Sequence, residues 1–331
     1  MRIRFGFGWR RDDSATESFL ASNKHPLFDL CSSSLESHQT EDVLLYENLL
    51  EFNQNFVPFF QKDKGICVGC AAAHVISTTQ ATELVVDDSE AWNGMASVES
   101  LYGLSRVEAR GYKRNNGGDG SNGSMVCRGA LKFGVVTQQD YSKETGVRSH
   151  DLRKFSISKT VDWGKYGSGG RYDRGKLDRV SKRFPLKTAS LVTSFDGCAK
   201  GIENGYCTIV CSNVGYEDVR DKDGFCKRSG EWNHAMAIVG VRWDRPGLLV
   251  VNSWSNYIKD TNMYPNDIPA GLLRSSFWIS PDDANLMLKQ NDSYILSPFE
   301  HGFEPRSVNN LLRNRLLRRG DKNLRHRLLR R

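Results

Sequence analysis

The sequence CVGCAAAHVISTTQATELVV occupies residues 67–86 and follows the glycine-containing loop QKDKG at residues 61–65. This run is rich in alanine and other small residues and contains no proline, which predicts a buried helix whose first turn carries Cys67. A helix N-terminus and a neighbouring imidazolium lower the pKa of a thiol and favour the nucleophilic thiolate. Cys67 is therefore the first candidate for a catalytic residue, and it needs a base.

The second half of the chain has a different pattern. The sequence DRPG at 244–247 is a strong turn signal, and it joins two of three runs of β-branched and apolar residues that predict strands. The first half is helical by comparison, and MVCRGALKFG predicts a helix that ends at Gly134. A helix-rich half followed by a strand-rich half indicates an α+β fold with two lobes. The three predicted strands are YCTIVCS (206–212), HAMAIVGVRW (234–243) and LLVVNSW (248–254).

A base and its orienting partner are found in the strand-rich half. His234 begins one predicted strand, and Asn252 lies near the end of the next. If these strands pair, Asn252 approaches the imidazole and fixes its orientation, as in a Cys-His-Asn triad. Gln61 precedes Cys67 in a loop, where its side-chain amide and the Cys67 backbone N–H would form an oxyanion hole. The sequence thus predicts a catalytic site of Cys67, His234, Asn252 and Gln61.

Three segments of the chain resemble the active-site segments of papain-like cysteine peptidases, in the same order and at the same spacing. They are QKDKGICVG (61–69), WNHAMAIVGV (232–241) and VVNSWS (250–255). The resemblance extends over about Phe52 to Phe299. The Cys-Val-Gly motif at the nucleophile is similar to that of bacterial and phage members.

The resemblance implies a papain-like two-lobed fold, in which a helical lobe carries Cys67 and an antiparallel β lobe carries His234 and Asn252. It implies cleavage of peptide bonds through a thioacyl-enzyme, with a peptide or protein as substrate and no metal or other cofactor. It also implies that Trp254 supports the active site. A rival from another class is a papain-fold structural or binding component of a larger assembly, such as a virion, with little or no turnover.

Three positions depart from the pattern of that family. Lys64 stands where many members have a disulfide-forming cysteine, Val68 replaces the usual tryptophan after the nucleophile, and Ser255 replaces the glycine after Asn-Ser-Trp. The first two resemble changes found in the bacterial variant. The serine bears on the geometry near Trp254, because a glycine there often serves a tight turn.

Asn122-Gly123-Ser124 resembles the Asn-Gly-Gly segment that lines the substrate cleft in the same family. This resemblance implies that Gly120, Gly123 and Ser124 form a cleft wall that pairs with substrate backbone. The surrounding sequence RNNGGDGSNGS at 114–124 is equally typical of a glycine-rich surface loop.

Alternatives to the catalytic interpretation start from Cys70. Aligning Cys70 with the nucleophile would place Lys64 where the oxyanion glutamine belongs, so Cys67 is preferred and Cys70 is expected to be a buried core residue.

A zinc site is a second alternative, because Cys67, Cys70 and His74, and likewise Cys207 and Cys211, have the spacing of ligand pairs. Taken singly, a cysteine, a histidine or an asparagine in these contexts is usually structural, and only the combination favours catalysis.

The domain organisation predicted from the sequence is an N-terminal extension (1–40), a peptidase domain (41–299) and a basic C-terminal tail (300–331). The N-terminus lacks the apolar stretch of a secretory signal and no long apolar run occurs, so we expect no membrane span and a cytoplasmic or virion-associated protein. The eight cysteines are too few for a disulfide scaffold. Mostly free thiols are expected, with bridges between residues 198 and 226 left open.

The C-terminal tail carries the sequence LRNRLLRR at 312–319 and again, as LRHRLLRR, at 324–331. Residues 306–331 hold nine arginines and one lysine against one aspartate, so the +7 formal charge of the chain belongs to the tail. On a helix the leucines share one face, which predicts two basic amphipathic segments that bind a protein partner or assembly. Nucleic acid is the second partner class, and a solvated tail without partner is the ordinary alternative.

Overall fold

A computed structural model of the chain describes residues 6–86, 91–111, 117–173, 175–183, 186–306 and 308. The helices are α1 (Asp13–Ser22), α2 (Phe28–Cys31), α3 (Tyr46–Phe52), α4 (Cys67–Val86), α5 (Val98–Arg106), α6 (Gly123–Phe133), α7 (Ser142–Thr145), α8 (Ile157–Tyr166), α9 (Asp178–Ser181), α10 (Phe195–Glu203), α11 (Ala270–Leu273) and α12 (Pro281–Leu288). The strands are β1 (Val43–Leu44), β2 (Thr188–Leu191), β3 (Thr208–Arg220), β4 (Cys226–Arg242), β5 (Gly247–Val251), β6 (Ser276–Ile279) and β7 (Tyr294–Ser297). Single 3₁₀ turns occupy Glu108–Arg110 and Arg148–His150.

The strands form one antiparallel sheet in the order β2-β7-β3-β4-β5-β6, and the short strand β1 also pairs with β4. β4 and β5 pair from Ala237 with Val251 to Arg242 with Gly247, so the predicted hairpin is present. This register places Asn252 directly after the last paired residue of β5. The hairpin therefore carries both polar residues of the predicted triad to the same end of the sheet.

The helical lobe is built around α4, which is buried along nearly its whole length. Its small side chains allow α3, α5 and β4 to pack closely around it. α6 ends as predicted at Gly134, which has a positive φ of 82°. A Cβ there would lie 2.1 Å from the carbonyl oxygen of Ser181, so only glycine fits. The α+β, two-lobed prediction is confirmed.

The eight cysteines all lie in described residues, and each is a free thiol. Residues 198–226 thus contain no disulfide in this structure. Among the helices within the described ranges, none combines the length and the apolar character that crossing a bilayer requires. Both copies of the C-terminal repeat lie outside the described residues.

Candidate active site

Cys67 is the first residue of α4, and its side chain is fully buried. The backbone N–H groups of Ala235 and Gly8 face its thiol and favour the charged form. Burial dominates over these donors and raises the pKa of Cys67 to about 12, because a thiolate without water is strongly disfavoured. In this arrangement Cys67 is a neutral thiol, although a helix N-terminus alone would favour a thiolate.

His234 and Asn252 form a buried hydrogen-bonded pair. The Nε2–H of His234 donates to Oδ1 of Asn252 at 2.8 Å. Nδ1 of His234 has no hydrogen-bond partner among the described residues. Burial lowers the pKa of His234 to about 4, while the bond to Asn252 opposes this shift. The imidazole is therefore neutral, with Nδ1 available as a proton acceptor.

Trp254 fixes this pair from the side. Its indole ring stacks on the His234 imidazole with ring centroids 4.1 Å apart and an interplanar angle of 25°. The backbone N–H of Trp254 donates to Oδ1 of Asn252 at 3.2 Å, so that oxygen accepts two bonds. Trp232 packs edge-on against Trp254, with ring centroids 4.8 Å apart. These contacts restrict the orientation of the imidazole ring.

Gln61 is buried, and its amide orientation is determined by Ser253. The Ser253 hydroxyl donates a short hydrogen bond to Oε1 of Gln61, and the Gln61 backbone N–H donates to the Ser253 carbonyl at 3.1 Å. Nε2 of Gln61 consequently points away from Ser253. It donates to the carbonyl oxygens of Lys64 at 2.6 Å and Gly6 at 2.8 Å. The predicted oxyanion donor is thus engaged by the N-terminal part of the chain.

Residues 6–10, the cleft segment, run through the site between the two lobes. The N–H groups of Gly8 and Trp9 both donate to the carbonyl of Asn233 at 3.0 Å, one residue before His234. On the opposite side Ser121 donates to the Gly8 carbonyl and accepts from the Arg10 N–H, both at 2.8 Å. The segment therefore covers Cys67 with backbone bonded to both walls.

Glycine is required where the cleft segment passes the loop before Cys67. A Cβ at Gly8 would lie 2.3 Å from the carbonyl oxygen of Gly65, and one at Gly6 would lie 2.3 Å from that of Lys64. Any side chain at either position would force the backbones apart. The alternation of glycine with aromatic residues in FGFGW (5–9) is the sequence signal that could have indicated this path.

The segment after the cleft is anchored to the start of α6 and to the chain at the start of β7. Thr16 of α1 lies within hydrogen-bond distance of the Ser124 hydroxyl at 3.4 Å and of the Asp292 carboxylate at 3.3 Å. Phe19, also on α1, packs against the Tyr294 ring with centroids 5.4 Å apart. α1 thus ties the N-terminal part of the chain to the wall of the cleft.

Of the residues predicted as the cleft wall, Gly120 lies against the cleft segment, since a Cβ there would be 2.9 Å from the Gly8 carbonyl oxygen. Gly123 and Ser124 begin α6, and their N–H groups donate to Asp292 at 2.7 and 2.8 Å. Gly120 donates its N–H to the Tyr102 hydroxyl at 2.8 Å. The backbone pairing with the cleft segment is made by Ser121, which the sequence did not single out.

Two further residues of α5 position the cleft. The Tyr102 hydroxyl donates to the carbonyl of Gly65 at 3.1 Å, which connects the loop before Cys67 with the wall at Gly120. The guanidinium of Arg106 donates to the carbonyls of Gly120 and Gly164. Neither residue belongs to a motif, so nothing in the sequence marked them as parts of this site.

The zinc alternative receives no support from the described part of the chain, where no group of three or more His, Cys, Asp or Glu side chains is arranged to hold a metal. His74 instead accepts a hydrogen bond from the Phe59 backbone N–H at 3.3 Å. Burial lowers the pKa of His74 to about 3 and raises that of Cys70 well above its ordinary value. Both are core residues of α4.

Comparison with known proteins gives a likeness in structure only. No model of a known protein family matches the sequence, and no curated protein matches it. The structure of xylellain, a cysteine protease from Xylella fastidiosa, matches 90% of this chain and 98% of its own, with a TM-score of 0.53 at 16% identity. This likeness establishes the papain-like fold.

Two other solved structures match over most of the chain with lower scores. Procathepsin L 3 from the larval midgut of Tenebrio molitor covers 82% of this chain and 83% of its own, at 14% identity and a TM-score of 0.43. Procathepsin B S9 from Trypanosoma congolense covers 88% of this chain and 85% of its own, at 11% identity and a TM-score of 0.47.

Proposed function

We propose that the chain is a cysteine peptidase in which Cys67 is the nucleophile, His234 the base, Asn252 the orienting residue and Gln61 an oxyanion donor. The observation that carries this proposal is the 2.8 Å bond from His234 Nε2 to Asn252 Oδ1. It commits the ring to the tautomer whose Nδ1 accepts a proton. The papain-like fold supports the same assignment of roles.

In the proposed reaction Nδ1 of His234 takes the proton from the Cys67 thiol as the sulfur attacks the substrate carbonyl carbon. The carbonyl oxygen becomes an oxyanion, which accepts hydrogen bonds from Nε2 of Gln61 and from the backbone N–H of Cys67. The C–N bond then breaks, the imidazolium returns its proton to the leaving amine, and the acyl group remains on sulfur as a thioester.

A water molecule completes the cycle by the same chemistry. His234 removes a proton from the water, whose oxygen attacks the thioester carbonyl. The thiolate leaves and recovers a proton from the imidazolium, and the carboxylic product departs. Asn252 and Trp254 hold the ring in one orientation through both steps, which is how they would contribute without touching the substrate.

We call the arrangement in which the cleft segment lies over Cys67 and Gln61 the covered state, and in the proposed reaction this state excludes substrate. Gly6 and Gly8 occupy the positions next to Gln61 and Cys67, so both water and peptide are kept from the thiol. Desolvation keeps Cys67 and His234 neutral rather than as an ion pair. Catalysis therefore requires that the cleft segment leave.

The alternative is a structural component without turnover. Nδ1 of His234 and Nδ2 of Asn252 are buried without a hydrogen-bond partner among the described residues, but so is Nδ1 of the core residue His74, so these atoms do not distinguish the two functions. The bacterial or phage type indicated by Cys-Val-Gly, and association with a virion, stay predictions.

The test is hydrolysis by the full-length Gly8→Ala variant, in which an added methyl forces the cleft segment away from Gly65. We expect cleavage of a fluorogenic peptide mixture and stoichiometric labelling of Cys67 by a peptidyl epoxide. The matched Gly8→Ala, Cys67→Ala protein should do neither. Hydrolysis that persists without Cys67, or its complete absence despite an accessible thiol, would refute the proposal.

A further inference from the structure

The hydroxyl group of Tyr102 lies between the loop that precedes Cys67 and the wall of the cleft. It donates to the Gly65 carbonyl at 3.1 Å and accepts from the Gly120 N–H at 2.8 Å. Tyr102 is 1% exposed, and burial raises its pKa to about 12. The phenol therefore keeps its proton at neutral pH. Because the Gly120 N–H can only donate, that proton is committed to the Gly65 carbonyl.

Arg106 fixes the direction of this hydrogen-bond chain. Its Nη1–H donates to the Tyr102 hydroxyl at 3.3 Å, and its Nη2 group donates to the carbonyls of Gly117 at 3.0 Å and Gly118 at 2.8 Å. The residue is 3% exposed. A guanidinium has donors and no acceptor, so the chain of bonds runs from Arg106 through Tyr102 to Gly65. The group that holds the glycine-rich wall is thus bonded to the group that holds the loop before the nucleophile.

Asp119 makes a second tie between the same two segments, because its Oδ2 accepts from the Gly65 N–H at 3.3 Å. Gly65 is therefore held at both its N–H and its carbonyl by consecutive wall residues, Asp119 directly and Gly120 through Tyr102. Lys64 stands where many members of the papain family have a disulfide-forming cysteine, and every cysteine of this chain is a free thiol. Hydrogen bonds rather than a covalent link tie this loop to the wall.

Both tied residues adjoin groups that would act on a substrate. Gly120 precedes Ser121, whose N–H donates to the Gly8 carbonyl at 2.8 Å in the covered state. Gly65 lies two positions before Cys67, whose backbone N–H is one of the two proposed oxyanion donors. Separating buried hydrogen-bonded groups is costly, so a shift of the wall on pairing with a peptide also shifts the loop.

We propose that Tyr102 is a positioning residue that transmits backbone pairing at Ser121 to the Cys67 N–H, so that an extended peptide is cleaved with a higher kcat than a short one. The inference rests on the proposed function. Its physical basis is that contacts remote from the scissile bond raise kcat only when they improve the fit to the transition state. Loss of the hydroxyl should reduce the advantage of the extended peptide by about ten-fold, the effect of about one hydrogen bond.

The kinetic experiment compares two substrates in the full-length Gly8→Ala protein. One is the aminocoumarin amide of a single amino acid, and the other carries the same residue and amide at the end of a tetrapeptide, so the bond that breaks is the same. Tyr102→Phe is measured beside Tyr206→Phe as the matched control. The Tyr206 hydroxyl likewise donates to a backbone carbonyl at 2.9 Å and accepts from a backbone N–H at 3.0 Å, but both belong to Glu304, after β7.

We expect Tyr102→Phe to lower kcat for the tetrapeptide by about ten-fold and to leave kcat for the single amino acid unchanged. Tyr206→Phe should change neither. An equal fall for both substrates, or an unchanged kcat for the tetrapeptide, would overturn the inference. If melting curves show that Tyr102→Phe does not fold, Asp119→Ala decides the question, because it removes the second tie and should lower kcat for the tetrapeptide alone.

Hydrogen exchange separates this inference from the proposed function, because it needs no turnover. In the Gly8→Ala, Cys67→Ser protein, a free peptide with the sequence of residues 6–11 should slow exchange of the Gly65 amide, and Tyr102→Phe should remove most of this effect. Exchange at Gly65 that ignores the peptide, or responds equally without the hydroxyl, would overturn the inference. The expected exchange pattern combined with hydrolysis of neither amide by the Gly8→Ala protein would contradict the proposed function alone.

Discussion

The side-chain amide of Gln61 donates a 2.8 Å hydrogen bond to the backbone carbonyl oxygen of Gly6. The group proposed to stabilise an oxyanion is therefore engaged by a carbonyl of the same chain. Because Gly8 also faces the Cys67 thiol, a few residues of backbone cover the nucleophile and one oxyanion donor together. The covered state is thus a state in which the cleft segment contacts both the proposed nucleophile and the proposed oxyanion donor.

Gly8→Ala should uncover Cys67. The added Cβ would lie 2.3 Å from the Gly65 carbonyl oxygen, and overpacking of this kind costs about 1–3 kcal/mol. The covered state would become about ten-fold to a hundred-fold less favoured. We expect alkylation of Cys67 by iodoacetamide, followed by peptide mass spectrometry, to accelerate by that factor.

Gly118→Ala is the matched control for this experiment. Among the described residues, a Cβ there would approach only the end of the Arg10 side chain, at 3.1 Å. The control should therefore alkylate at the rate of the unaltered protein. Equal rates in Gly8→Ala and Gly118→Ala would show that the cleft segment does not protect the thiol.

Cys67→Ala should abolish hydrolysis and epoxide labelling, and Cys70→Ala should retain most of both when each is introduced beside Gly8→Ala. Both side chains are fully buried on α4, but only Cys67 has the Gly8 and Ala235 N–H groups beside its sulfur. Initial rates on a peptide substrate and the mass of the labelled protein distinguish the two. An inactive Cys70→Ala variant together with an active Cys67→Ala variant would instead identify Cys70 as the nucleophile.

The fold was predictable because its signals are local. A proline-free, alanine-rich run predicted α4, and the turn at DRPG predicted the β4-β5 hairpin. The bond between His234 and Asn252 then follows from that hairpin, since the two residues lie near the same end of paired strands. Each of these inferences needs only neighbouring residues and the period of a helix or strand.

The cover of the site was not predictable in this way. Trp9 and Asp292 are 283 positions apart in the sequence, and their contact forms only when the two ends of the chain meet in the fold. Tyr102 likewise acts through a single hydroxyl group on an ordinary helix. Long-range polar contacts of this kind leave no periodic signal, so only the folded chain reveals them.

Gln61→Ala should separate catalysis from access. In the Gly8→Ala background we expect kcat to fall by about 10² to 10³, as is typical for the loss of one oxyanion donor. Iodoacetamide alkylation of Cys67 forms no oxyanion, so its rate should not fall. Steady-state kinetics and alkylation are measured on the same protein. A similar fall in both would point to a damaged structure rather than a missing donor.

The pH dependence of the covered state should reveal two opposing groups. The pKa of His234 is about 4 in the covered state, whereas an ordinary histidine has a pKa of 6.5. Between these values the uncovered state binds more protons at His234, so a falling pH favours the uncovered state. The pKa of Asp292 is about 6 in the covered state, whereas an ordinary aspartate has a pKa of 3.8. Between these values the covered state binds more protons at Asp292, so a falling pH favours the covered state. Asp292→Asn removes only the second effect, and acid should then uncover the site.

The opening of the covered state is measured by hydrogen exchange of the backbone amides of residues 6–10, corrected for the intrinsic rate at each pH. As the pH falls from 6.5 towards 4, we expect Asp292→Asn to gain about ten-fold or more in exchange relative to the unaltered chain. If the exchange rates of the two proteins change in parallel as the pH falls, Asp292 does not titrate with the movement of the cleft segment.

The last prediction concerns the basic tail, which we propose binds a protein partner. Arg306 belongs to the domain rather than to the tail, because its guanidinium lies over the rings of Tyr206 and Phe299 at 4.7 and 4.8 Å. Val308 is also buried. Deletion of residues 309–331 beside Gly8→Ala should therefore leave Tm and peptide hydrolysis unchanged while partner binding is lost, whereas deletion from Arg306 should also lower Tm.

Replacing four leucines of the two repeats by serine distinguishes a protein groove from phosphates, because it removes the apolar face that a helix would present and keeps every arginine. The four positions are Leu312, Leu316, Leu324 and Leu328. A groove lined by apolar side chains requires these leucines, so this variant should lose its partner in pull-down experiments at physiological salt. Binding to nucleic acid depends instead on counterion release, so it would survive the leucine changes and weaken steeply with added salt. Binding with that second pattern would contradict the protein groove, since leucines contribute nothing to phosphate neutralisation.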